Sequence, residues 1–152
     1  MTGKCSTAGS ADTEESVPLG YLLTRTATLL QKHVTVRLEP LGLSLPAFIC
    51  LQILCAAPGL SNSELARRAH VSRQAMCDVL QQLQDDGLVD RPTAAEQGRT
   101  LPASLTGEGL QRLELARRQV TVAERRVTAG LTREERERLK SLLAQLSMPD
   151  QK

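Results

Sequence analysis

The sequence predicts a mainly α-helical fold with one small β-hairpin wing. Two short helical patterns joined by a tight connection occupy residues 61–83. Two strand-like runs, 88–91 and 101–105, then enclose a polar loop. Helical patterns flank this segment on both sides. Helix, turn, helix and hairpin is the order of a winged helix-turn-helix, so we expect that unit at the centre of a helical chain.

The two central helices have recognisable starts and ends. A capping box at residues 61–64 opens the first, with its serine hydroxyl and glutamate carboxylate each binding the other residue's backbone N–H. Residues 70–71 break the pattern, and Ser72 caps the second helix. Gly87 is predicted to end it in the left-handed conformation. The second helix has one apolar stripe, formed by Met76, Val79, Leu80 and Leu83.

The chain divides into four predicted segments. Residues 1–15 are small and polar, and we expect a disordered tail there. Residues 16–43 form an amphipathic N-terminal helix. Residues 44–105 begin with a helix that is apolar on almost every side, and this segment is the predicted winged helix-turn-helix DNA-binding domain. Residues 106–147 hold two more helices, which are predicted to form a helical dimerisation domain.

The dimerisation hypothesis depends on apolar stripes in the last two helices. The first of them has a seam spaced by three and four residues, formed by Leu113, Ala116, Val120, Ala123 and Val127. A seam without an evident partner in its own chain predicts packing on a second copy, although Ala116 and Ala123 also suit the cover of a core. The last helix opens at a capping box, residues 132–135. Its stripe is formed by Leu139, Leu142, Leu143 and Leu146.

The composition excludes several classes of function. Tyr21 and Phe48 are the only aromatic residues, too few for a platform that stacks the bases of single-stranded nucleic acid. No apolar run approaches the ~20 residues of a membrane span, and the N-terminus has no signal-peptide core. We therefore expect a cytoplasmic protein without membrane contact. No nucleophile–base arrangement or phosphate-binding glycine loop is present, which argues against an enzyme and against catalytic residues.

The cysteines indicate neither disulfides nor a metal site. Cys5, Cys50, Cys55 and Cys77 have no paired spacing and are expected to be free thiols. Cys50 and Cys55 fall on the predicted buried helix and are expected to be small core residues. Cys77 falls on the exposed face of the second central helix. Neither the cysteines nor the two histidines form a ligand pattern, so no metal and no cofactor is expected.

The exposed face of the second central helix carries the best candidates for reading bases in the major groove. Arginine pairs with guanine, and glutamine pairs with adenine, through two hydrogen bonds. The residues near the N-terminus of such a helix normally reach the bases. The candidates on this helix are Ser72, Arg73, Gln74, Cys77 and Gln81. Asp78 lies on the same face and should repel phosphate, unless it accepts from a cytosine amino group or pairs with Arg73.

Three further arginines are expected at the same surface. Arg67 lies on the first central helix, and Arg91, at a strand end, suits a phosphate or structural contact. Arg99 lies in the hairpin loop, where an arginine can enter the narrow minor groove. Residues 61–105 nevertheless hold five arginines against six carboxylates, a net charge of −1. We therefore expect few phosphate contacts and a shallow salt dependence.

The stretch SELARRAHVSRQAMCDVLQQLQDDGLVDR, followed by a loop with an arginine and then LPASLTGEG, resembles the MarR family of bacterial transcription regulators. The flanks PLGYLLTRTATLL and LTREERERLKSLLAQL extend the resemblance over about residues 17–147. Single pieces occur in many helix-turn-helix proteins, whereas the order of all the pieces is specific. The resemblance implies a repressor that binds a pseudo-palindromic operator in double-stranded DNA. It also implies a homodimer in which the first, fifth and sixth helices of two subunits interlock. Residues 16–43 are then the N-terminal dimerisation helix, and residues 106–147 hold the C-terminal dimerisation helices.

The resemblance further implies small-molecule control. Many family members bind an aromatic or lipophilic effector between the dimerisation helices and the DNA-binding domain. The polar or aromatic side chains expected near that crevice are Tyr21, Arg25, His33 and Phe48. In the family the wing arginine usually follows an aspartate by two residues. Gln97 stands at that place here, so the wing contact is expected to be weaker, with Glu96 as a substitute carboxylate.

Two alternative functions stay open at this point. The near-neutral net charge of residues 61–105, together with Gln97, is compatible with a helical dimeric protein-interaction module that has lost DNA binding. Cys77, on the exposed face of the second central helix (the reader face), is compatible with a thiol-based redox sensor, because modification of this residue would obstruct DNA binding.

Overall fold

The computed structural model describes residues 17–91 and 102–147. Within these ranges its elements are α1 Leu19–Leu38, α2 Leu45–Ala56, α3 Asn62–Arg68, α4 Arg73–Asp85, β1 Val89–Asp90, β2 Ser104–Leu105, α5 Gly107–Val127 and α6 Arg133–Leu146. A 3₁₀ turn joins α1 to α2, and β1 pairs with β2 antiparallel. The predicted mainly α fold with a small hairpin is confirmed. The predicted tail and the hairpin loop with Arg99 lie outside the described residues.

Serine caps start both helices of the helix-turn-helix. The Ser61 hydroxyl accepts from the backbone N–H of Glu64 at 3.2 Å, and Ser72 caps α4 in the same way at 3.1 Å. The predicted reciprocal bond of the first capping box is wrong, because the Glu64 carboxylate accepts from Arg67 at 2.8 Å instead. The guanidinium lies one turn along the helix and competes successfully for that carboxylate.

The turn between α3 and α4 is closed by a left-handed residue that is not glycine. His70 has φ +55°, and its N–H donates to the carbonyl of Arg67. The next N–H, that of Val71, donates to the carbonyl of Ala66, which completes a Schellman motif. Gly87, with φ +71°, ends α4 in the same conformation, as predicted. These two closures fix the direction in which the chain enters and leaves α4.

An apolar core joins the winged unit, which consists of α2, α3, α4, β1 and β2, to α1 and α5. Among the described residues every buried side chain is apolar. The fully buried leucines and methionine are Leu38, Leu51, Leu54, Leu65, Met76, Leu80, Leu83, Leu88 and Leu113. Cys50 is buried on α2 as predicted, but Cys55 is exposed, so the prediction of a core residue is wrong there. Cys55 follows Gln52 by one turn, on the side of α2 that meets Arg117 of α5.

The α5 seam packs inside its own chain. Leu113, Ala116 and Ala123 are buried, and α5 lies along α1, where Val34 and Leu38 are buried in turn. The prediction that the seam lacks a partner in its own chain is therefore wrong. A spacing of three and four residues makes a continuous apolar stripe but does not specify the helix that covers it.

A different set of apolar residues remains uncovered in the single chain. Helix α6 has no buried residue, although its N-terminal capping box forms with both hydrogen bonds, at 2.7 and 3.2 Å. The first half of α1 is exposed as well. We define the terminal apolar surface as the exposed leucines of these two segments: Leu19, Leu22, Leu23, Leu29, Leu139, Leu142, Leu143 and Leu146.

The wing is fastened to α5 through Thr106 and Gly109. The Thr106 hydroxyl donates to the carbonyl of Gly87 at 2.7 Å and accepts from the N–H of Gly109 at 3.0 Å. A Cβ at Gly109 would overlap the carbonyl oxygen of Leu88. The second glycine of the TGEG sequence therefore permits a close approach between α5 and the chain entering β1.

None of the described helices is by itself long and apolar enough to cross a bilayer. The bent pair formed by residues 19–41 and 45–56, at 79°, passes that test by length and composition alone.

Candidate nucleic-acid interface

The exposed face of α4 presents a row of amides and carboxylates. The opposite face is anchored by the buried side chains Met76, Leu80 and Leu83. Ser72, Arg73, Gln74, Cys77 and Gln81 are all exposed, so the structure brings these five predicted DNA contacts together on one face. The row that runs along this face consists of Gln74, Asp78, Gln81 and Asp85, which are spaced by four, three and four residues.

Each glutamine of this row is hydrogen-bonded to the aspartate that follows it by four residues. Gln74 Nε2 donates to Asp78 Oδ1 at 3.0 Å, and Gln81 Nε2 donates to Asp85 Oδ1 at 2.9 Å. Sequence reasoning considered Arg73 as the partner of Asp78, and the structure shows Gln74 instead. The i, i+4 spacing was the signal that could have identified both pairs.

The N-terminal ends of α3 and α4 enclose a cleft of about 570 Å³. Arg67 and Arg73 both line it, as do Ser61 and Glu64. The guanidinium of Arg67 is paired with the Glu64 carboxylate at 2.8 Å, so part of its charge is already compensated before any phosphate approaches. Arg73 therefore supplies the stronger positive charge at this end of the reader helix.

Asn62 joins the two helices at this cleft, and sequence reasoning missed it. Its side-chain Nδ2 donates to the backbone carbonyl of Arg73 at 3.2 Å. The Oδ1 of the same amide is buried and has no hydrogen-bond partner among the described residues. The bond holds the first residue of α4 against α3, and it depends on an 11-residue separation that no local pattern indicates.

The wing contributes Arg91 within the described residues. Arg91 follows β1 and is half-buried, and its Nε has no hydrogen-bond partner in that part of the chain. Arg99, the predicted minor-groove residue, lies outside the described residues. Its predicted role stays a prediction.

A second cleft of about 410 Å³ lies between α1 and α5. His33, Arg37 and Arg126 line it together with apolar residues of both helices, Val36, Leu41, Val122 and Ala123 among them. Arg37 Nη1 donates to Gln119 Oε1 at 3.5 Å across the cleft. Two guanidiniums and an imidazole in a cleft that also has apolar side chains are groups of the kind that bind a small organic anion.

The structure does not bring the four predicted effector residues together. His33 lines the cleft between α1 and α5, and Phe48 is 7% exposed in the core. Tyr21 and Arg25 are exposed on the first half of α1. Sequence reasoning missed Arg37 and Arg126, which are almost ninety positions apart in the sequence and line the same cleft only through the packing of α1 on α5.

The thiols differ sharply in their surroundings. Burial raises the pKa of Cys50 to about 12, so this thiol stays protonated and unreactive at neutral pH. Cys77 is exposed on the reader face. In residues 17–91 and 102–147, no group of three histidine, cysteine, aspartate or glutamate side chains is placed to hold a metal ion.

Comparison with known proteins assigns the family. The sequence profile of the MarR family matches residues 41–100. The HTH-type transcriptional repressor Rv2887 of Mycobacterium tuberculosis is 46% identical over 132 residues, which cover 87% of this chain and 95% of that protein. This chain belongs to the MarR family, whose members are DNA-binding transcriptional regulators and not enzymes.

Two crystal structures of the Rv2887 protein are similar to this fold. Its complex with DNA has a TM-score of 0.78 and 44% identity, and the match covers 88% of this chain and all of that one. Its complex with salicylic acid has a TM-score of 0.73 and 45% identity, covering 88% of this chain and 99% of that one. The fold class inferred from the sequence is thereby confirmed a second time.

Proposed function

We propose that this chain is a cytoplasmic repressor that binds a pseudo-palindromic DNA operator as a homodimer. The observation that carries the proposal is the exposed N-terminal end of α4, where Arg73 and Gln74 follow a capped, fully formed turn. A helix presented in this way enters the major groove with its first residues toward the bases. The similar Rv2887 protein has been crystallised with DNA, which supports DNA binding by this chain.

The terminal apolar surface supports the homodimer. Its eight leucines are between 37% and 72% exposed, and α6 has no buried residue. Exposed apolar surface of this extent marks an interaction site. A second copy covers it symmetrically and places two α4 helices in successive major grooves, about 10 base pairs apart.

The test of DNA binding uses duplexes from the region upstream of the protein's own gene. Arg73→Ala should weaken specific binding roughly 5- to 150-fold, the range expected for one arginine–guanine contact. Arg118→Ala removes an exposed arginine from α5, away from the reader face, and serves as the matched control. Fluorescence anisotropy against salt concentration measures both affinity and the number of phosphate contacts.

The opposite result has a defined meaning. If the wild-type protein is dimeric and binds none of these duplexes at low salt, the proposed repressor function is overturned. It leaves the protein-interaction module, the hypothesis that the carboxylates on the α4 face favour.

We also propose that a small aromatic carboxylate binds in the cleft between α1 and α5 and lowers DNA affinity. The carboxylate would pair with Arg37 and Arg126, and the ring would contact Val36 and Val122. Rv2887 has been crystallised with salicylic acid, a ligand of this class. A ligand that binds the DNA-free arrangement of the dimer more tightly shifts the population away from the DNA-bound one.

Calorimetric titration with salicylate tests this cleft. Arg126→Ala should weaken binding about 10-fold, the loss of one charge-assisted hydrogen bond. Salicylamide, which lacks the charge, should bind more weakly than salicylate to the wild type. Equal affinity for the two compounds, or unchanged salicylate binding in Arg126→Ala, would place any effector elsewhere.

A further inference from the structure

The pairing of Gln74 with Asp78 gives the reader helix a defined hydrogen-bonding pattern before DNA is present. We propose that Asp78 is a positioning residue for sequence recognition: it orients the Gln74 carboxamide for an adenine in the major groove. This inference rests on the proposed DNA-binding function and goes beyond it, because it assigns a role to a residue that would otherwise only repel DNA.

The chemistry of the pair determines the orientation of the amide. An ionised carboxylate is acceptor-only, so the Gln74 side chain must turn its Nε2, rather than its Oε1, toward Asp78. The observed bond, Nε2 to Oδ1 at 3.0 Å, has that direction. It occupies one of the two N–H donors and leaves the second N–H and the Oε1 acceptor free.

The remaining donor and acceptor match one base. Adenine presents N7 as an acceptor and its N6 amino group as a donor in the major groove, and glutamine recognises it with one N–H and one carbonyl oxygen. Gln74 is the second residue of α4, in the part of a reader helix that reaches the bases. An amide already held in that orientation loses less side-chain freedom on binding than a free one.

The carboxylate has an opposite effect on general affinity. Asp78 adds a negative charge to a face that approaches phosphates, which weakens binding to every sequence. Its help to Gln74 acts only where an adenine is present. The combined effect lowers overall affinity and raises the ratio of specific to non-specific binding.

The second pair of the row is a built-in control. Gln81 and Asp85 repeat the same bond at 2.9 Å, seven residues further along α4. This end of the helix lies about 10 Å farther from the N-terminus, at 1.5 Å per residue. Removal of Asp85 therefore removes a charge of the same kind while leaving the amide at the reading end untouched.

The experiment selects binding sites from random DNA duplexes with the full-length wild-type chain and with Gln74→Ala, Asp78→Ala, Asp78→Asn and Asp85→Ala. We expect Asp78→Ala to reduce discrimination at the base pair that Gln74→Ala also relaxes, by roughly 2- to 12-fold, the cost of ordering one long side chain. Asp78→Asn keeps an acceptor oxygen without the charge and should recover part of that discrimination. Asp85→Ala should raise affinity for all duplexes and leave discrimination at the base pair read by Gln74 unchanged.

Double substitution separates positioning from direct reading. If Asp78 acts through Gln74, the loss of discrimination in Gln74→Ala/Asp78→Ala equals that of Gln74→Ala alone. If Asp78 instead accepts from a cytosine, the two single variants relax different base pairs and their losses multiply, which overturns the proposal.

Two further outcomes distinguish the failure of this inference from the failure of the proposed DNA-binding function on which it rests. A wild-type chain that selects a motif which Asp78→Ala selects with equal stringency overturns the positioning role and leaves the DNA-binding function standing. A wild-type chain that enriches no sequence overturns both. Thermal melts of all the variants confirm that each one is folded, since exposed substitutions on α4 should leave the core intact.

Discussion

The winged unit and α6 use leucine in two different ways. In the winged unit Leu65, Leu80 and Leu83 are at most 1% exposed, each packed in a core that one chain completes. In α6 the same residue type at the same helical spacing leaves Leu139 and Leu142 37% and 48% exposed. Periodicity therefore establishes an amphipathic helix, whereas the position of the helix in the fold decides whether its apolar face is covered within the chain.

The largest effect is expected where the winged unit joins α5. Gly109→Ala should lower the free energy of unfolding by about 3 kcal/mol or more, because the new Cβ would overlap the backbone carbonyl of Leu88. Chemical denaturation followed by circular dichroism measures the loss. Gly107→Ala is the matched control, since its Cβ would meet no atom within 4 Å. Equal stability of the two variants would contradict the close approach of α5 to the Leu88 carbonyl.

The next largest effect is expected at the exposed leucines of α6. Leu142→Gln should raise the dimer dissociation constant about 30-fold, because two half-exposed leucines per dimer each lose roughly 1 kcal/mol of burial. Sedimentation equilibrium measures it. Lys140→Gln, on a neighbouring polar position of the same helix, should leave association unchanged. A monomeric wild type, or no change in Leu142→Gln, would remove α6 from the dimer interface.

Alkaline pH should weaken the winged unit through Cys50. The folded-state pKa of about 12 lies above the ordinary value of 9.0, so the contribution of the buried thiol is complete below pH 9 and is lost as the pH rises toward 12. At pH 10 the free energy of unfolding should be about 1 kcal/mol lower than at pH 8, and Cys50→Ala should lack that part of the loss. Urea denaturation of both proteins at the two pH values provides the measurement.

The smallest effect is expected at the turn between α3 and α4. His70→Gly should raise the free energy of unfolding by about 0.5 kcal/mol, because glycine adopts φ +55° without strain but gains more freedom when unfolded. Ala69→Gly, at a right-handed position one residue earlier, should instead lower it by roughly 1 kcal/mol. Thermal melts of the two variants show whether each substitution raises or lowers stability relative to the wild type. A destabilised His70→Gly would mean that the imidazole itself stabilises the turn.

Much of the fold could be predicted because local rules determine it. Ser61, Ser72, Thr106 and Thr132 each cap the helix that follows, as their spacing to the first turn indicates. Gly87 ends α4 with the expected positive φ. The buried stripe of α4 was predicted at Met76, Val79, Leu80 and Leu83. Three of these side chains are buried, and Val79 is half-buried at the edge of the stripe.

The candidate site was only partly predictable for the same reason. The exposed side of α4 follows from its buried side, so Arg73 and Gln74 could be identified from the sequence. The cleft lined by Arg37 and Arg126 could not, because these residues lie 89 positions apart in the sequence and line one cleft only when α1 and α5 pack together. The 3.5 Å contact between Arg37 and Gln119 spans 82 positions of sequence.

By itself the sequence determined the helices, their caps, the hairpin and the reader face, since hydrogen bonds and apolar periodicity within a few residues specify them. Only the tertiary structure decided which helix covers the α5 seam, where α6 leaves its leucines uncovered, and why Gly109 must lack a side chain. Those outcomes depend on distances between segments far apart in the chain. Periodicity does not encode these distances, because an apolar stripe packs equally well against any complementary surface.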